Sequence, residues 1–418
     1  MNTDVQPAGI VGVIGAGTMG AGIAQLAARS GARTILHDPL PDALERGAQY
    51  ARDGLGKEAA KGRLSTAEAD AAVARIEPVD DLAAFAPCEL VIEAAPERLA
   101  LKHEIYARAS EIVSEECVLA TNTSSLLVTA IAAGASNPER VVGMHFYNPA
   151  PLMRLLEVVA GEQSGERALA LARATGEAMC KTVIRAQDGP GFLVNRCNRP
   201  FGLEALRLLQ ERIADIETID RIVRIEGGFR MGPFELMDLV GVDTGLEISK
   251  SFYEQSFGEP RWRPSPIAAR YVAAGRYGRK TGRGYYDYSS DPYRAPDPDP
   301  DPPEDAGAAD AKVAPAAGGV LERIVCQVIN ECAFALGEGV GSAQDIDTGM
   351  VLGLNYPRGP LVWADELGLD RVLAVLDGLW EEYREERYRA APALRGRVRA
   401  GQLGRATGAG FFPYDVSP

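Results

Sequence analysis

From Ile10 to about Ala186, short apolar runs alternate with amphipathic stretches of helical period. That alternation predicts a doubly wound α/β domain with a parallel sheet, of the Rossmann type. Strands are expected at Ile10–Ile14, Arg33–Asp38, Leu90–Ala94, Cys117–Thr121 and Arg140–Met144. Glu97, Asn122 with Ser124, and His145 should follow directly at their C-terminal ends, where open α/β sheets bind ligands. Leu155-Leu156-Glu157-Val158-Val159 is a further strand-like run, in which an unpaired carboxylate would be costly. A longer helical excursion, about Asp42 to Ala74, carries Lys57, Lys61 and Arg63, which on spacing alone form a solvated face.

After Asp188-Gly189-Pro190-Gly191 the pattern changes to helices without intervening strands, as far as about Gly275. Ser289 to Gly319 follows, 31 residues with seven prolines and seven acidic residues against two basic ones. Such a segment cannot build a core and predicts an extended, self-repelling spacer that stays off the folded parts. Beyond it the helical region repeats. With Ile219-Asp220 set on Ile346-Asp347, Arg196 falls on Arg323, Glu204 on Glu331, Gly232-Pro233 on Gly359-Pro360 and Asp238 on Asp365. Asn195 becomes Glu322 and Lys280 becomes Ala406, and no second nucleotide loop accompanies the copy. The expected domains are therefore 1–187, 188–288, a linker 289–319, and a catalytically degenerate helical copy 320–418.

The chain's 418 residues exceed one hydrophobic core, which fits several domains. A net charge of −14 argues against nucleic acid or an acidic membrane as a partner. The N-terminus shows no signal-peptide pattern and no run reaches 18 apolar residues, so no membrane span is expected. Six cysteines without a C-x-x-C pair or a histidine cluster predict reduced, buried thiols in a cytoplasmic protein and no metal site.

Two constellations carry chemistry. Gly15-Ala16-Gly17-Thr18-Met19-Gly20 follows the first strand and opens a helix from Met19 to Ser30, which is the context a dinucleotide loop requires. Gly15 permits the turn, Gly17 lets backbone approach a pyrophosphate, and Gly20 lets helix and strand pack closely. The second strand ends in Asp38, placed to bind an NAD ribose. Met144-His145-Phe146-Tyr147-Asn148-Pro149 is the other constellation, with Glu157 twelve residues past the histidine and Ser124 21 residues before it. A histidine can take a hydroxyl proton near neutrality, and a carboxylate on its far nitrogen fixes the tautomer and stabilises the imidazolium. A lone histidine is usually a core residue; this one has a serine, a glutamate and Asn195 as candidate partners. His37 and His103 have none readable from sequence.

Asn122-Thr123-Ser124-Ser125-Leu126, the His145 motif and Asp188-Gly189-Pro190-Gly191-Phe192-Leu193-Val194-Asn195-Arg196 resemble the 3-hydroxyacyl-CoA dehydrogenase family. The resemblance covers nearly the whole chain outside the spacer. It implies a Rossmann NAD-binding domain, two all-α domains of the family's C-terminal type, and oxidation of (S)-3-hydroxyacyl-CoA. It also implies that His145 is the base paired with Glu157, and that Ser124, Asn148 and Asn195 contact acyl-CoA, with Lys61 on the CoA phosphates. Asp38, Glu97, Lys102, Asn122 and Lys280 are implied to contact NAD, beside the loop residues Gly15, Gly17, Thr18, Met19 and Gly20. Gly54 departs from the family, standing where some relatives place a CoA-contacting serine. The second helical copy implies an internal pseudo-dimer, with further homo-oligomerisation open. Rival readings are a phosphogluconate-type or other 3-hydroxy acid dehydrogenase, disfavoured because Gly176 to Lys181 lacks the glycine spacing, and a non-catalytic ligand-binding member, disfavoured by retention of His145 with Glu157.

Overall fold

The computed structural model describes residues 5–297 and 319–415. It divides into two compact units, Met1–Phe192 and Leu193–Pro418. In the first, β1 (Ile10–Ile14), α1 (Thr18–Arg29), β2 (Arg33–His37), α2 (Pro41–Ala60), α3 (Thr66–Ala74) and β3 (Ile76–Val79) form one wing. The other wing continues through β4 (Leu90–Glu93), α4 (Leu99–Ile112), β5 (Val118–Thr121), α5 (Val128–Ala132), β6 (Val141–Phe146), β7 (Leu155–Ala160), α6 (Glu166–Ala178) and β8 (Thr182–Gln187). The sheet order is β3-β2-β1-β4-β5-β6-β7-β8. Val13, Ile92, Ala120, Met144 and Leu156 contribute one buried face of it, against which α1 packs through Ile23, Ala24 and Ala27.

The sheet differs from a purely parallel one at one place: β6 and β7 pair antiparallel. Their link, Tyr147 to Arg154, is too short for the crossover helix that parallel strands need. His145 accordingly lies inside β6 rather than beyond its end. One edge strand had no signal in the chain's pattern. β3 is an edge strand interrupted by Pro78, tolerated because an edge leaves one row of N–H groups unpaired. The expected Asp42–Ala74 excursion is two helices, divided where Ser65 and Glu68 form a capping box at the start of α3. All six cysteines are free, but Cys180 is exposed rather than buried as expected, because it occupies a left-handed turn between α6 and β8.

The second unit holds both helical copies. The first comprises α7 (Val194–Cys197), α8 (Arg199–Gln210), α9 (Ile216–Ile225), α10 (Pro233–Val240), α11 (Val242–Gln255) and α12 (Pro266–Ala273). The second comprises α13 (Val320–Gly337), α14 (Ala343–Leu354), α15 (Pro360–Leu367), α16 (Leu369–Tyr383) and α17 (Pro392–Arg399). α13 corresponds to α7 and α8 together; Pro200 lacks the N–H and breaks the first copy's helix there. Equivalent carboxylates do equivalent work. Asp220 accepts the N–H groups of Phe234 and Glu235, as Asp347 accepts those of Leu361 and Val362. Asp238 and Asp365 likewise hold the closing turns at Tyr285-Tyr286 and Phe411-Phe412.

The copies exchange ion pairs reciprocally. Arg196 binds Glu331 at 2.9 Å and Glu338 at 2.6 Å; Arg323 binds Glu204 and, at 2.8 Å, Glu211. Each pair is the other's equivalent in the repeat, so the two copies meet about a pseudo-twofold axis. The start of the spacer is not off the core. Asp297 pairs with Arg224 at 2.7 Å, and Tyr293 and Arg294 both bond Glu235, so local charge complementarity overrides the segment's self-repulsion. The rest of the expected spacer, 298–318, lies outside the described residues.

Candidate active site

The turn after β1 is built for an anion. Gly15 has φ +99°, and its N–H donates to the His37 carbonyl at 2.8 Å. A Cβ on Gly20 would stand 1.8 Å from the Gly15 carbonyl oxygen, so only glycine allows α1 to start there. Gly17 faces open space and caps α1 without any side-chain bond, leaving the first-turn N–H groups of Thr18 and Met19 for a phosphate. Asp38 closes the turn: its carboxylate accepts from Ala16 N at 2.8 Å and from Leu40 N at 3.0 Å. These features fit a dinucleotide.

A second polar cluster sits at the ends of β4 and β5. Lys102 is fully buried, with its ammonium between both oxygens of Glu93 at 2.7 and 2.8 Å. Glu93 also accepts from Thr121 Oγ1 and Ala95 N, and a buried pair needs such extra bonds to offset its desolvation. Lys102 reaches Glu97 at 3.4 Å, and Glu97 in turn accepts from Ser124 N at 2.8 Å and from Thr123 Oγ1. The Ser124 side chain remains exposed. Asn122 Oδ1 accepts from Phe146 N at 2.9 Å, tying this loop to the strand that carries His145. Glu93 escaped the sequence reading because it sits inside a strand, where nothing in the spacing marks it.

His145 and Glu157 are directly opposite in the β6–β7 register, which sets their side chains on one face. The histidine's Nδ1 lies 2.6 Å from Glu157 Oε2. A carboxylate there accepts a hydrogen bond from Nδ1–H, which holds the tautomer whose Nε2 lone pair is free for a reacting hydroxyl. The Tyr147 hydroxyl donates to the same Oε2 at 2.7 Å, a partner the sequence reading missed. Alternation along the chain was the available signal, since Tyr147 is two residues after His145. Phe192 closes on the imidazole edge-on at 5.7 Å. Lys181 donates to the carbonyls of Ala150 and Met153, both at 2.6 Å, and so pins the loop that contains Asn148. Burial pushes its pKa down to about 8.

Lys61 stands with Lys57 and Arg63 on the rim of a cavity of about 680 Å³ that also borders Gly54, Pro151 and Leu152. A Cβ on Gly54 would lie 2.1 Å from Gln25 Oε1, so the glycine makes room for that buried side chain. In the second unit, Asn195 is half-buried on α7, and Lys280 pairs with Asp243 at 2.7 Å in the turn after α12.

Known proteins resolve what this arrangement belongs to. Residues 10–189 match the model of the 3-hydroxyacyl-CoA dehydrogenase NAD binding domain. Residues 191–288 and, separately, 318–414 match that of the 3-hydroxyacyl-CoA dehydrogenase C-terminal domain. The chain belongs to the 3-hydroxyacyl-CoA dehydrogenase family. Its cofactor is NAD. The 3-hydroxyadipyl-CoA dehydrogenase of Escherichia coli K12 is 36% identical, over 93% of this chain and 97% of that protein. A probable 3-hydroxybutyryl-CoA dehydrogenase of Deinococcus radiodurans is 41% identical over 66% of this chain and 99% of its own. The crystal structure of 3-hydroxybutyryl-CoA dehydrogenase from E. coli K12 superposes with a TM-score of 0.87 at 35% identity, covering 95% of this chain and 99% of that one. Among the described residues of this family member, no helix is long and apolar enough to cross a membrane.

Proposed function

We propose that the chain catalyses the reversible NAD-dependent oxidation of an (S)-3-hydroxyacyl-CoA to the 3-ketoacyl-CoA, in fatty-acid or related acyl-CoA metabolism. The observation that carries this reading is the 2.6 Å contact of His145 with a wholly buried Glu157, in the same sheet whose first strand leads into a dinucleotide loop. His145 Nε2 accepts the proton of the 3-hydroxyl, and Glu157 stabilises the imidazolium as it forms. NAD, when bound, supplies the acceptor for the hydride that leaves C3. Ser124, Asn148 and Asn195 orient the acyl group, and Lys61 with Lys57 and Arg63 meets the CoA phosphates. Gly15, Gly17, Thr18, Met19, Gly20 and Asp38 hold the cofactor, with Glu97, Lys102, Asn122 and Lys280 as the family's further contacts. Lys102 acts there through Glu97, given its own burial against Glu93. Consumption of NADH with acetoacetyl-CoA tests the reading, and a purified chain that binds both but turns over neither would refute it.

The second helical copy is structural in this reading. Its Glu322, at the place of Asn195, is held by Arg371 at 2.6 Å, and Ala406 replaces Lys280. It covers the first copy as an internal pseudo-dimer, with one active site per chain. Six unpaired thiols suit a cytoplasmic location.

Cofactor preference follows from Asp38. Its carboxylate, locked by two backbone N–H groups, suits ribose hydroxyls and repels a 2′-phosphate, and Pro39, Leu40 and Pro41 offer no compensating cation. The ratio of kcat/KM for NADH over NADPH should be on the order of 10² or more. Comparable values would reject the role of Asp38.

A further inference from the structure

Arg199 is a cation without an anion among the described residues. It opens α8 and lines a solvent-open pocket whose walls are mostly apolar, among them Phe201, Leu236, Met237, Val242 and Leu246. Its Nε is shielded from solvent and has no hydrogen-bond partner. No carboxylate pairs with it among the described residues; its contacts are a long 3.4 Å bond to Ser249 Oγ and the face of Phe252 at 5.1 Å. Burial alone pulls its pKa down to about 10, and it stays charged at neutral pH. Arg199 is half-buried, and a guanidinium nitrogen shielded from water without an acid beside it is costly, which the ring contact offsets only in part. Its position at the first turn of α8 adds to the cost, because the positive end of a helix favours an anion there.

The internal repeat shows that the scaffold does not need this cation. Where the first copy has Arg199, Ser249 and Phe252, the second has Cys326, Leu376 and Leu379. Those three are buried and apolar, while the ion pairs and turn-holding aspartates persist in both copies. The polar set is therefore confined to the copy that retains Asn195, and Asn195 lies four residues before Arg199.

We propose that Arg199 is a specificity-determining residue that receives the terminal carboxylate of a dicarboxylic acyl chain, with the apolar walls holding the methylenes between. This rests on the acyl-CoA reading above and narrows its substrate class. A planar guanidinium can take a carboxylate through two parallel bonds, and a neutral chain end would cover it and leave it unpaired. Selection then comes as much from excluding the neutral chain as from attracting the charged one.

The test compares two ketoacyl-CoA probes of equal length, 3-oxoadipyl-CoA and 3-oxohexanoyl-CoA, with NADH and the full chain. The wild type should favour the dicarboxylic probe in kcat/KM, and Arg199→Met should lower that ratio on the order of 10²-fold, mainly through KM. Arg199→Lys should restore part of it. A wild-type ratio near one, or an Arg199→Met variant that lowers both probes equally as a structural lesion would, overturns the proposal. Calorimetric binding of adipyl-CoA and hexanoyl-CoA separates the two levels of inference. If neither ketone is reduced, the reaction reading fails. Tighter adipyl-CoA binding that Arg199→Met abolishes still supports the carboxylate site, and equal binding of the two thioesters refutes it.

Discussion

Replacing His145 by glutamine should lower kcat by about 10²–10⁴-fold, the range that a positioned base contributes, while NADH binding stays within about threefold. The amide keeps the volume of the side chain in β6 but cannot hold the hydroxyl proton. The nucleotide turn between β1 and α1 does not include His145, so the two effects separate. Glu157→Gln probes the same unit from the other side. Glu157 is wholly buried, and its Oε2 serves both His145 and Tyr147. A neutral amide no longer stabilises the imidazolium, and kcat should fall on the order of 10²-fold. Tyr147→Phe removes a donor to that oxygen, and a loss near tenfold is expected. Single-turnover reduction of acetoacetyl-CoA by NADH reads the chemical step directly. Near wild-type turnover in His145→Gln would eliminate it as the base, and an unaffected Glu157→Gln would eliminate the pairing alone.

Legibility from the chain alone followed how local the physics was. The glycine turn, β1, β2 and the strands before Glu97 and Asn122 are fixed by contiguous residues, and the pattern showed them. The duplication was equally visible, because buried Arg–Glu pairs and turn-holding aspartates recur at one spacing. What depends on pairing between distant segments was hidden. The antiparallel β6–β7 register sets His145 opposite Glu157, and alternation in the His145 segment could place Tyr147 on the same face but could not name the carboxylate it bonds. Glu93 read as one residue of a strand, and Lys102 as a cofactor contact implied by the resemblance, and only the fold shows them buried together. β3 carries a proline, and the contact of Asp297 with Arg224 lies in a stretch whose composition signals only a spacer. Arg199 gave no signal at all. In sequence it is one arginine before a proline, and only the absence of an acid around it makes it informative.

The reciprocal ion pairs support the second large expected effect. Arg323 is buried, and it is the shared partner of Glu204 and Glu211 across the contact between α8 and α13. Arg323→Met keeps much of the side-chain volume but leaves Glu204, only 2% exposed, as an uncompensated buried charge. Breaking such a pair from one side costs about 3–5 kcal/mol. For a unit of this size that corresponds to a fall in Tm of about 10 °C. The single variant should also expose the face of the first copy, so dimers or aggregates form through it. The double variant Arg323→Met/Glu204→Leu removes the buried charge together with its partner, and most of the lost stability should return, since a well-packed apolar pair often matches a buried salt bridge. If the cost came instead from lost packing around the guanidinium, the double variant would be as unstable as the single one. Scanning calorimetry and light scattering on the wild type and both variants distinguish these outcomes. A single variant that is equally stable and keeps the oligomeric state of the wild type would remove the reciprocal pairs as the reason the copies stay together.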